Sequence, residues 1–374
     1  MSLTARLTEL VAFDTQNPMG DERPAVTWLG EQLREMGAER VEVRQEDDHG
    51  FVYAVFGTER PRLLLNAHVD TVPANAGYST PPHVLVERDG RLQGLGAADT
   101  KGAIAAILQA IVDVNASGRP PRGVGILFSG DEERRNTCIR SFLSDPALCS
   151  GLERAIVCEP TGCAVGWRHR GIGAAEAVAT SVGGHSSRAD QIPSPIALLA
   201  RAAVALDDLG RLYRHRGPPG FQGLCLNVAS LDGGLAFNVI PTRATLRMSL
   251  RPAPGSDLNA LMAEAERAAR AAVAPAQIEW AVLNSNPPFQ TRDLPPLQAL
   301  LGESAAAIDL AFWTEAALLS AAGIDAVVFG PGHIEQAHAA DEYVELTQLQ
   351  AAYRAFVQVL GNHGGDAGDG AALV

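Results

Sequence analysis

The sequence predicts an α/β domain with a mostly parallel sheet, interrupted by an inserted domain of the ferredoxin-like βαββαβ type. Helical and strand-like segments alternate from Met1 to about Cys163, and several strands are apolar throughout, as expected of strands covered on both faces. From about Gly171 to Trp280 the order changes to strand, helix, two strands, helix and strand. After Asn284 the α/β alternation returns, so we expect the middle segment to form a second domain set into the first.

The predicted outer domain comprises residues 1–168 and 283–374, and the inserted domain comprises residues 169–282. In the outer domain, apolar spacing predicts helices over 1–13, 25–36, 103–114, 297–307 and 346–360, and strands over 62–67, 123–128, 155–157 and 326–329. In the inserted domain it predicts strands over 174–182, 224–231, 245–250 and 277–282, with a Gly-Gly turn between the second and third, and helices over 195–209 and 257–274. The tail over 361–374, rich in Gly, Ala and Asp, is predicted to be disordered.

Composition narrows the class of partner. The chain has 374 residues, 47% of them hydrophobic, and a formal net charge of -13, which argues against nucleic acid or an anionic membrane as partner. No apolar run approaches the roughly 18 residues of a membrane span, and charged residues interrupt the N-terminal helix, unlike a signal peptide. We therefore expect a cytoplasmic protein that acts on a small molecule.

The five cysteines are odd in number and form no CxxC pair, so a disulfide framework or a thiolate zinc site is not expected. Free buried thiols are the simpler interpretation.

Ionisable residues follow several predicted buried strands at the point where each strand ends. In LLLNAHVDTVP, His68 and Asp70 are two residues apart and point to one side of the strand. Asp70 could then accept the second imidazole N–H of His68, as a carboxylate does beside a metal-binding histidine. A His–Asp pair that satisfies only itself is the alternative.

Two further acidic segments have simple structural alternatives. Asp99 follows the glycine loop of GLGAADTKG, where an aspartate commonly caps the next helix. The strand GILFS ends in Asp131, Glu132 and Glu133, which repel one another unless they form a solvated turn or approach a cation. In the second case one neighbour could bind metal while the other acts as general base.

Two more strands complete the pattern, because Glu159 ends AIVCEP and His338 follows VVFGPG. Open α/β sheets bind ligands beyond the carboxyl ends of their strands. Two histidines and three carboxylates at that edge would suit two borderline cations such as zinc that share one bridging carboxylate. The sequence therefore predicts a co-catalytic dimetal site.

The motifs AHVDTVP, GLGAADTKG, SGDEE, CEPTG, HRG, GGHSS and GPGHIEQAHAADE occur in this order along nearly the whole chain. As a set they resemble the M20 family of dimetal aminoacylases and carboxypeptidases, in its acetylornithine deacetylase and succinyl-diaminopimelate desuccinylase branch. The resemblance implies a dimetal aminopeptidase-like catalytic domain with two divalent ions, zinc or cobalt. It implies these roles: His68 and Glu159 bind one metal ion, Glu133 and His338 bind the other, Asp99 bridges them, Asp70 orients His68, and Glu132 is the general base.

By the same resemblance the inserted domain is a lid and dimerisation domain, and the protein is a homodimer. His185 of GGHSS would then reach the neighbouring subunit's active site and hold the developing oxyanion, although alone it is an ordinary loop histidine. Asn238 and Arg251 match positions that contact the substrate. Arg251 is a reasonable clamp for its α-carboxylate.

Several features refine the expected substrate. Leu95 stands where the family usually has arginine, and the HRGI and FWTEA segments look closest to the N-acetylcitrulline deacetylases. The resemblance thus implies hydrolysis of N-acetylcitrulline or N-acetylornithine in arginine biosynthesis. Desuccinylation of succinyl-diaminopimelate, dipeptidase or carboxypeptidase action and a non-catalytic binding role are the alternatives.

Four ionisable residues remain without an assigned role. Asp309 and Glu315 could select the substrate side chain or simply lie on a solvated helix face. Lys101, the only lysine of the chain, lies in the DTKG motif, and the sequence gives it no specific role. His333 is expected at the surface.

Overall fold

The computed structural model describes residues 1–302 and 305–362. The chain divides into two compact units. Unit 1 comprises Met1–Trp167, Thr291–Ile308 and the chain from Thr314 onward, whereas unit 2 comprises Arg168–Gln290 and Asp309–Trp313.

The secondary structure has the following bounds. The strands are β1 (Arg40–Glu46), β2 (His49–Phe56), β3 (Leu63–His68), β4 (Val86–Arg88), β5 (Arg91–Gln93), β6 (Val124–Ser129), β7 (Arg154–Val157), β8 (Val165–His169), β9 (Ile172–Thr180), β10 (Gly184–His185), β11 (Asn227–Gly233), β12 (Val239–Ile240), β13 (Arg243–Leu250), β14 (Glu279–Asn286), β15 (Phe289–Gln290), β16 (Ala307–Leu310), β17 (Asp325–Val328) and β18 (Tyr343–Glu345). The helices are α1 (Leu3–Ala12), α2 (Arg23–Glu35), α3 (Lys101–Ala116), α4 (Thr137–Ser144), α5 (Pro146–Cys149), α6 (Pro195–Leu212), α7 (Leu258–Val273), α8 (Leu294–Leu301), α9 (Ala316–Ala321) and α10 (Leu346–Asn362).

Unit 1 is built on a mixed sheet in the order β1-β2-β6-β3-β7-β17-β8. Its centre, β6-β3-β7-β17, is parallel, and the flanking pairs are antiparallel. Strands β2, β3 and β6 are buried at every residue, which explains their continuous apolar sequences. Helix α3 contacts β3, α1 and α10, so its largely apolar sequence belongs to the core. Each fully buried Leu or Ile there contributes about 1.5–3 kcal/mol.

Three expectations for unit 1 need correction. The helix predicted over 297–307 ends at Leu301, because Gly302 adopts φ +107°, and Ala307 begins β16. Helix α3 begins at Lys101 with Thr100 at the cap position, so Asp99 is not its N-cap. The tail predicted to be disordered from residue 361 contributes its first two residues to α10, and residues 363–374 lie outside the described part.

Unit 2 contains an antiparallel sheet in the order β11-β13-β9-β14, packed against α6 and α7. Its core includes Leu199, Leu206, Leu246 and Ala265. The elements follow one another as β9-α6-β11-β13-α7-β14, the predicted βαββαβ order. The expected Gly-Gly turn is wrong, because residues 234–242 connect β11 to β13 and include β12, which pairs with β10.

The prediction of free cysteines is confirmed for all five, but only Cys138 and Cys158 are buried. Cys149 and Cys163 are half-buried and Cys225 is exposed. Among the described residues, no helix is long and apolar enough to cross a membrane.

Candidate active site

The site residues of unit 1 meet because three neighbouring strands run parallel. His68 is the last residue of β3 and is paired in register with Ser129, the last residue of β6. Strand β7 also runs parallel to β3 and ends at Val157, two residues before Glu159. The carboxyl ends of these strands therefore bring His68, the acidic turn after β6 and Glu159 to one edge of the sheet.

The Asp99 carboxylate lies between two imidazoles. Its Oδ1 is 2.9 Å from His68 Nε2, and its Oδ2 is 3.4 Å from His338 Nε2. Glu133 Oε1 is 3.0 Å from the same nitrogen of His338, and Glu159 Oε2 is 3.9 Å from His68 Nε2. The structure thus brings all five predicted ligands together, with Asp99 in contact with the histidine of each predicted half.

The donor set is one that could hold metal ions. His68, Asp99 and Glu133 each offer a ligand atom, and these atoms lie within 4.8 Å of one another. Burial raises the pKa of Glu132, Glu133 and Glu159, and repulsion among the neighbouring carboxylates raises it further. Imidazole nitrogens with carboxylate oxygens are typical zinc ligands, and divalent cations would relieve this crowding of negative charge.

The two imidazoles titrate under the influence of these carboxylates. Burial alone would lower the pKa of His68, but hydrogen bonds with Asp70 and Asp99 raise it well above its usual range. Hydrogen bonds with Asp99 and Glu133 raise the pKa of His338 to about 10. Burial opposes ionisation of Asp99, yet the two histidines keep the pKa of its carboxyl below the usual range. These contacts favour the protonated form of both imidazoles in the metal-free protein, so metal binding competes with protons at these nitrogens.

Asp70 is fully buried and organises the acidic turn more directly than it contacts His68. Its carboxylate accepts the N–H groups of Glu132 and Glu133, each at 3.1 Å. His68 Nδ1 is 3.0 Å from the main-chain oxygen of Asp70 and 3.5 Å from its Oδ1. The predicted contact through the Asp70 carboxylate is therefore present beside a shorter hydrogen bond through the Asp70 main chain, and the role of Asp70 in orienting His68 stays a prediction.

The turn is supported by residues that the motif analysis missed. Asn17 Nδ2 donates to Asp70 Oδ2 at 3.1 Å and to Asp131 Oδ1 at 3.0 Å. Asp131 also accepts the Thr137 N–H at 3.1 Å and is fully buried. Glu22 accepts the Asp131 N–H at 3.1 Å. Asp131 is therefore a structural member of the SGDEE motif. The polar residues beside prolines, Asn17 before Pro18 and Glu22 near Pro24, were the only sequence signals for its partners.

A second buried carboxylate was also missed. Glu342 accepts N–H groups from Gly96, Ala98 and Asp99 at 2.9, 2.9 and 3.0 Å. Lys101 is buried nearby, its Nζ donates to the Phe13 carbonyl at 3.0 Å, and burial lowers its pKa to about 8. The acidic pair that follows His338 after two alanines was the available signal for Glu342.

Glu315 and Asp309, the two candidate specificity residues, lie in different units, and neither is on a solvated helix face. Glu315 is buried in unit 1, accepts the Ser129 hydroxyl at 2.7 Å and interacts with Asn66. Burial raises its pKa to about 7. Asp309, in unit 2, forms a two-pronged ion pair with Arg168 at 2.5 and 2.9 Å.

The predicted residues of unit 2 are exposed. His185 and Asn238 lie on adjoining segments, since His185 pairs with Val239 and the Ser186 N–H donates to the Asn238 carbonyl at 3.0 Å. Arg251 follows β13, and its N–H donates to the Leu224 carbonyl at 2.9 Å. Of the remaining histidines considered, His333 is at the surface as expected, 2.6 Å from Gln348 Nε2.

Comparison with known proteins agrees with this geometry. Residues 64–362 match the model of peptidase family M20/M25/M40. The chain is 35% identical to the N-acetyl-L-citrulline deacetylase of Xanthomonas campestris pv. campestris, over 93% of this chain and 94% of that protein. It is 31% identical to the acetylornithine deacetylase of Proteus mirabilis, over 83% of this chain and 81% of that protein.

Solved structures share the fold at low sequence identity. An M20 family metallo-carboxypeptidase from Sulfolobus solfataricus superposes with a TM-score of 0.79 at 17% identity, covering 97% of this chain and 99% of the other. A dinuclear metal-binding M20 peptidase from Bacillus subtilis superposes with a TM-score of 0.69 at 16% identity, covering 97% of each chain. The resemblance seen in the motifs is confirmed, and the chain belongs to peptidase family M20/M25/M40.

Proposed function

We propose that this enzyme hydrolyses the Nα-acetyl group of N-acetylcitrulline or N-acetylornithine, releasing acetate and the free amino acid. The observation that carries the proposal is the convergence of four proposed ligand side chains around a fifth, Asp99, with Glu132 next to Glu133 on the same turn. The similarity to a named N-acetyl-L-citrulline deacetylase over 93% of this chain selects the substrate class. We assign the reaction to arginine biosynthesis in the cytoplasm.

The metal assignment follows the geometry of Asp99. In this proposal His68 and Glu159 would hold one ion, Glu133 and His338 would hold the other, and Asp99 would be shared between them. Mixed nitrogen and oxygen ligands suit zinc or cobalt. Ions bound there lower the pKa of an attacking water and polarise the acetyl carbonyl.

The side chains of this chain supply the proton transfers. Glu132 lies on the turn next to Glu133, and burial raises the pKa of its carboxyl, which makes the ionised form a stronger base. Glu132 takes the proton of the attacking water and later gives it to the leaving amine nitrogen. Asp70 fixes the turn by accepting the Glu132 and Glu133 N–H groups.

Residues 169–282, which fall within unit 2, are proposed to act as the lid and dimerisation domain, and residues 1–168 and 283–374 are proposed to form the catalytic domain. His185 Nδ1 accepts the Ser187 N–H at 3.2 Å, so the neutral ring carries its proton on Nε2 and can donate it to an oxyanion. We assign this role to His185 of the partner subunit. Arg251 is proposed to bind the substrate carboxylate bidentately and Asn238 to contact its polar groups.

The exposed apolar residues of unit 2 support the homodimer. Strand β11 is an edge of its sheet, and the connection that follows it exposes 91% of Leu235 and 99% of Phe237. Such edges and apolar loops are typical of association surfaces. We expect Phe237→Ser to shift the protein toward monomer by light scattering. Met19→Ser, which removes an exposed apolar residue of unit 1, is the matched control.

Acetate release tests the activity. Zinc- or cobalt-loaded protein is assayed with N-acetylcitrulline and N-acetylornithine, with succinyl-diaminopimelate and a dipeptide as the alternatives. Chelator-sensitive release from an acetylated substrate is the expected result, and the ratio of kcat/KM values identifies the preferred one. Turnover confined to the desuccinylase or dipeptidase substrate would overturn the assignment.

A further inference from the structure

The loop that carries Asp99 is held by a single buried carboxylate from a distant part of the sequence. Glu342 is 2% exposed. Its Oε1 accepts the N–H groups of Ala98 and Asp99, and its Oε2 accepts that of Gly96. Its main-chain carbonyl also accepts the Gly94 N–H at 2.9 Å. Four N–H groups of the turn from Gly94 to Asp99 therefore donate to this one residue, whereas the Leu95 N–H donates to the Pro82 carbonyl at 2.9 Å.

The opposite side of this turn rests on Lys101. Gly96 has φ +80°, and a Cβ added there would lie 2.9 Å from Lys101 Cδ and 2.8 Å from Thr71 Cγ2. The Lys101 stem thus packs under Gly96, and its ammonium group is tied to the Phe13 carbonyl. Together these contacts leave the loop little freedom to move toward or away from His68.

We propose that Glu342 is a positioning residue that fixes the Asp99 carboxylate midway between His68 and His338. The proposal rests on the metal-binding part of the proposed function. Because one of the three N–H donors belongs to Asp99 itself, a change in the Glu342 oxygens acts on the main chain of the residue that carries the proposed bridging carboxylate. The Asp99 carboxylate lies 2.9 Å from His68 Nε2 and 3.4 Å from His338 Nε2, and both distances then depend on the position of Glu342.

Glu342→Gln tests this with little change in volume. A glutamine has one oxygen and places an amide N–H₂ against at least one main-chain N–H, so the loop must shift to avoid two facing donors. Loss of a partner that orients a ligand commonly weakens metal binding about 10- to 100-fold. We expect a rise of this size in the apparent Kd for Co²⁺ and an altered Co²⁺ absorption spectrum.

Asp341→Asn is the matched control. Asp341 is on the same turn, and its Oδ1 accepts the Ser79 N–H at 2.7 Å and the Gln93 side-chain amide at 2.8 Å, whereas the Gly96, Ala98 and Asp99 N–H groups donate to Glu342. The control should keep the wild-type Co²⁺ affinity and spectrum. Glu342→Asp is a second variant. It keeps the charge, but its side chain is one methylene shorter, so the oxygens lie farther from the loop N–H groups and the affinity for Co²⁺ should also fall.

The outcomes are separable from the substrate assignment. Wild-type Co²⁺ affinity and spectrum in a folded Glu342→Gln or Glu342→Asp protein would overturn the positioning role. An equal loss in Asp341→Asn would also overturn it, since the effect would then belong to the turn as a whole. If wild-type protein binds Co²⁺ but releases no acetate, the deacetylase proposal fails while the comparison of affinities still decides the role of Glu342. Wild-type protein without metal binding would overturn both.

Discussion

The candidate site of unit 1 and the predicted substrate residues of unit 2 differ in how their side chains are held. In unit 1 the ionisable groups are largely buried, and their loops are fixed by Asp70 and Glu342, which accept main-chain N–H groups. In unit 2, His185 and Asn238 are exposed, and His185 bonds to its neighbour Ser187. A buried charge without a partner costs free energy, so it must be paired before any ligand binds. An exposed side chain is solvated by water and needs no partner until the substrate or a second subunit binds.

This difference predicts that changes at the buried groups that bind the metal ions or fix their loops in unit 1 affect metal binding and stability, whereas a change at exposed His185 of unit 2 leaves both unchanged. The largest effect should come from removing the metal ions. Chelated protein should lose all measurable activity, and two ions per chain should restore it. Because the imidazoles must lose protons, metal affinity should rise with pH, most clearly below the His338 pKa of about 10. Full activity in protein shown to be metal-free by elemental analysis would contradict this.

Glu132→Gln should have the next largest effect. It removes the proposed base while keeping the size of the side chain, so kcat should fall by about 10³-fold with metal content unchanged. Glu335→Gln, at an exposed glutamate of the same unit, is the control and should retain wild-type kcat. Hydrolysis at the wild-type rate by metal-loaded Glu132→Gln would contradict the role of Glu132 as the general base.

His185→Ala should lower kcat by about 10²-fold without changing metal content or the unfolding temperature. Mixing it with Glu132→Gln asks whether the site is shared between subunits. If His185 acts in the partner's site, randomly mixed dimers should recover about one quarter of wild-type activity. No recovery from dimers shown to be mixed would place His185 in the site of its own subunit.

The smallest predicted effect concerns the contribution of buried Glu315 in unit 1 to the free energy of unfolding. Because the Glu315 pKa is raised to about 7 in the folded protein, the folded state holds its proton more tightly than the unfolded state. Its contribution to the free energy of unfolding is therefore present below about pH 4.5 and is lost as pH rises toward 7. Asn66 Oδ1 and Glu315 Oε1 have no hydrogen-bond partner within the described ranges, and a proton on Glu315 would supply a donor.

Glu315→Gln should therefore stabilise metal-free protein by about 2 kcal/mol at pH 8 and have little effect at pH 5, measured by urea unfolding. Asp309→Asn breaks a half-exposed ion pair in unit 2 and should change the free energy of unfolding by about 0.5 kcal/mol or less. A pH-independent difference for Glu315→Gln would show that its carboxyl is not protonated in the folded protein.

The parts of the fold set by local pattern were predictable from the sequence. Continuous apolar runs predicted the buried strands β3 and β6, and apolar spacing predicted α3 and α10 within a few residues of their observed ends. The end of α8 was missed because Ala305 to Ala307 continue a helical composition, although Gly302 has already ended the helix. The burial of Glu315 was not predicted, because the sequence does not distinguish a buried carboxylate beside an apolar helix from one at the surface.

The sequence by itself determined the α/β class, the order of elements in the inserted segment and the residue types of the proposed metal ligands. These follow from periodicity and from ionisable residues at strand ends, which are local properties of the chain. Only the tertiary structure decided that Asp99 lies between two imidazoles, and that Asp70 and Glu342 hold the ligand loops. Glu342 is 243 positions from Asp99 in sequence, and such contacts depend on strand register and loop packing, which spacing along one chain does not specify.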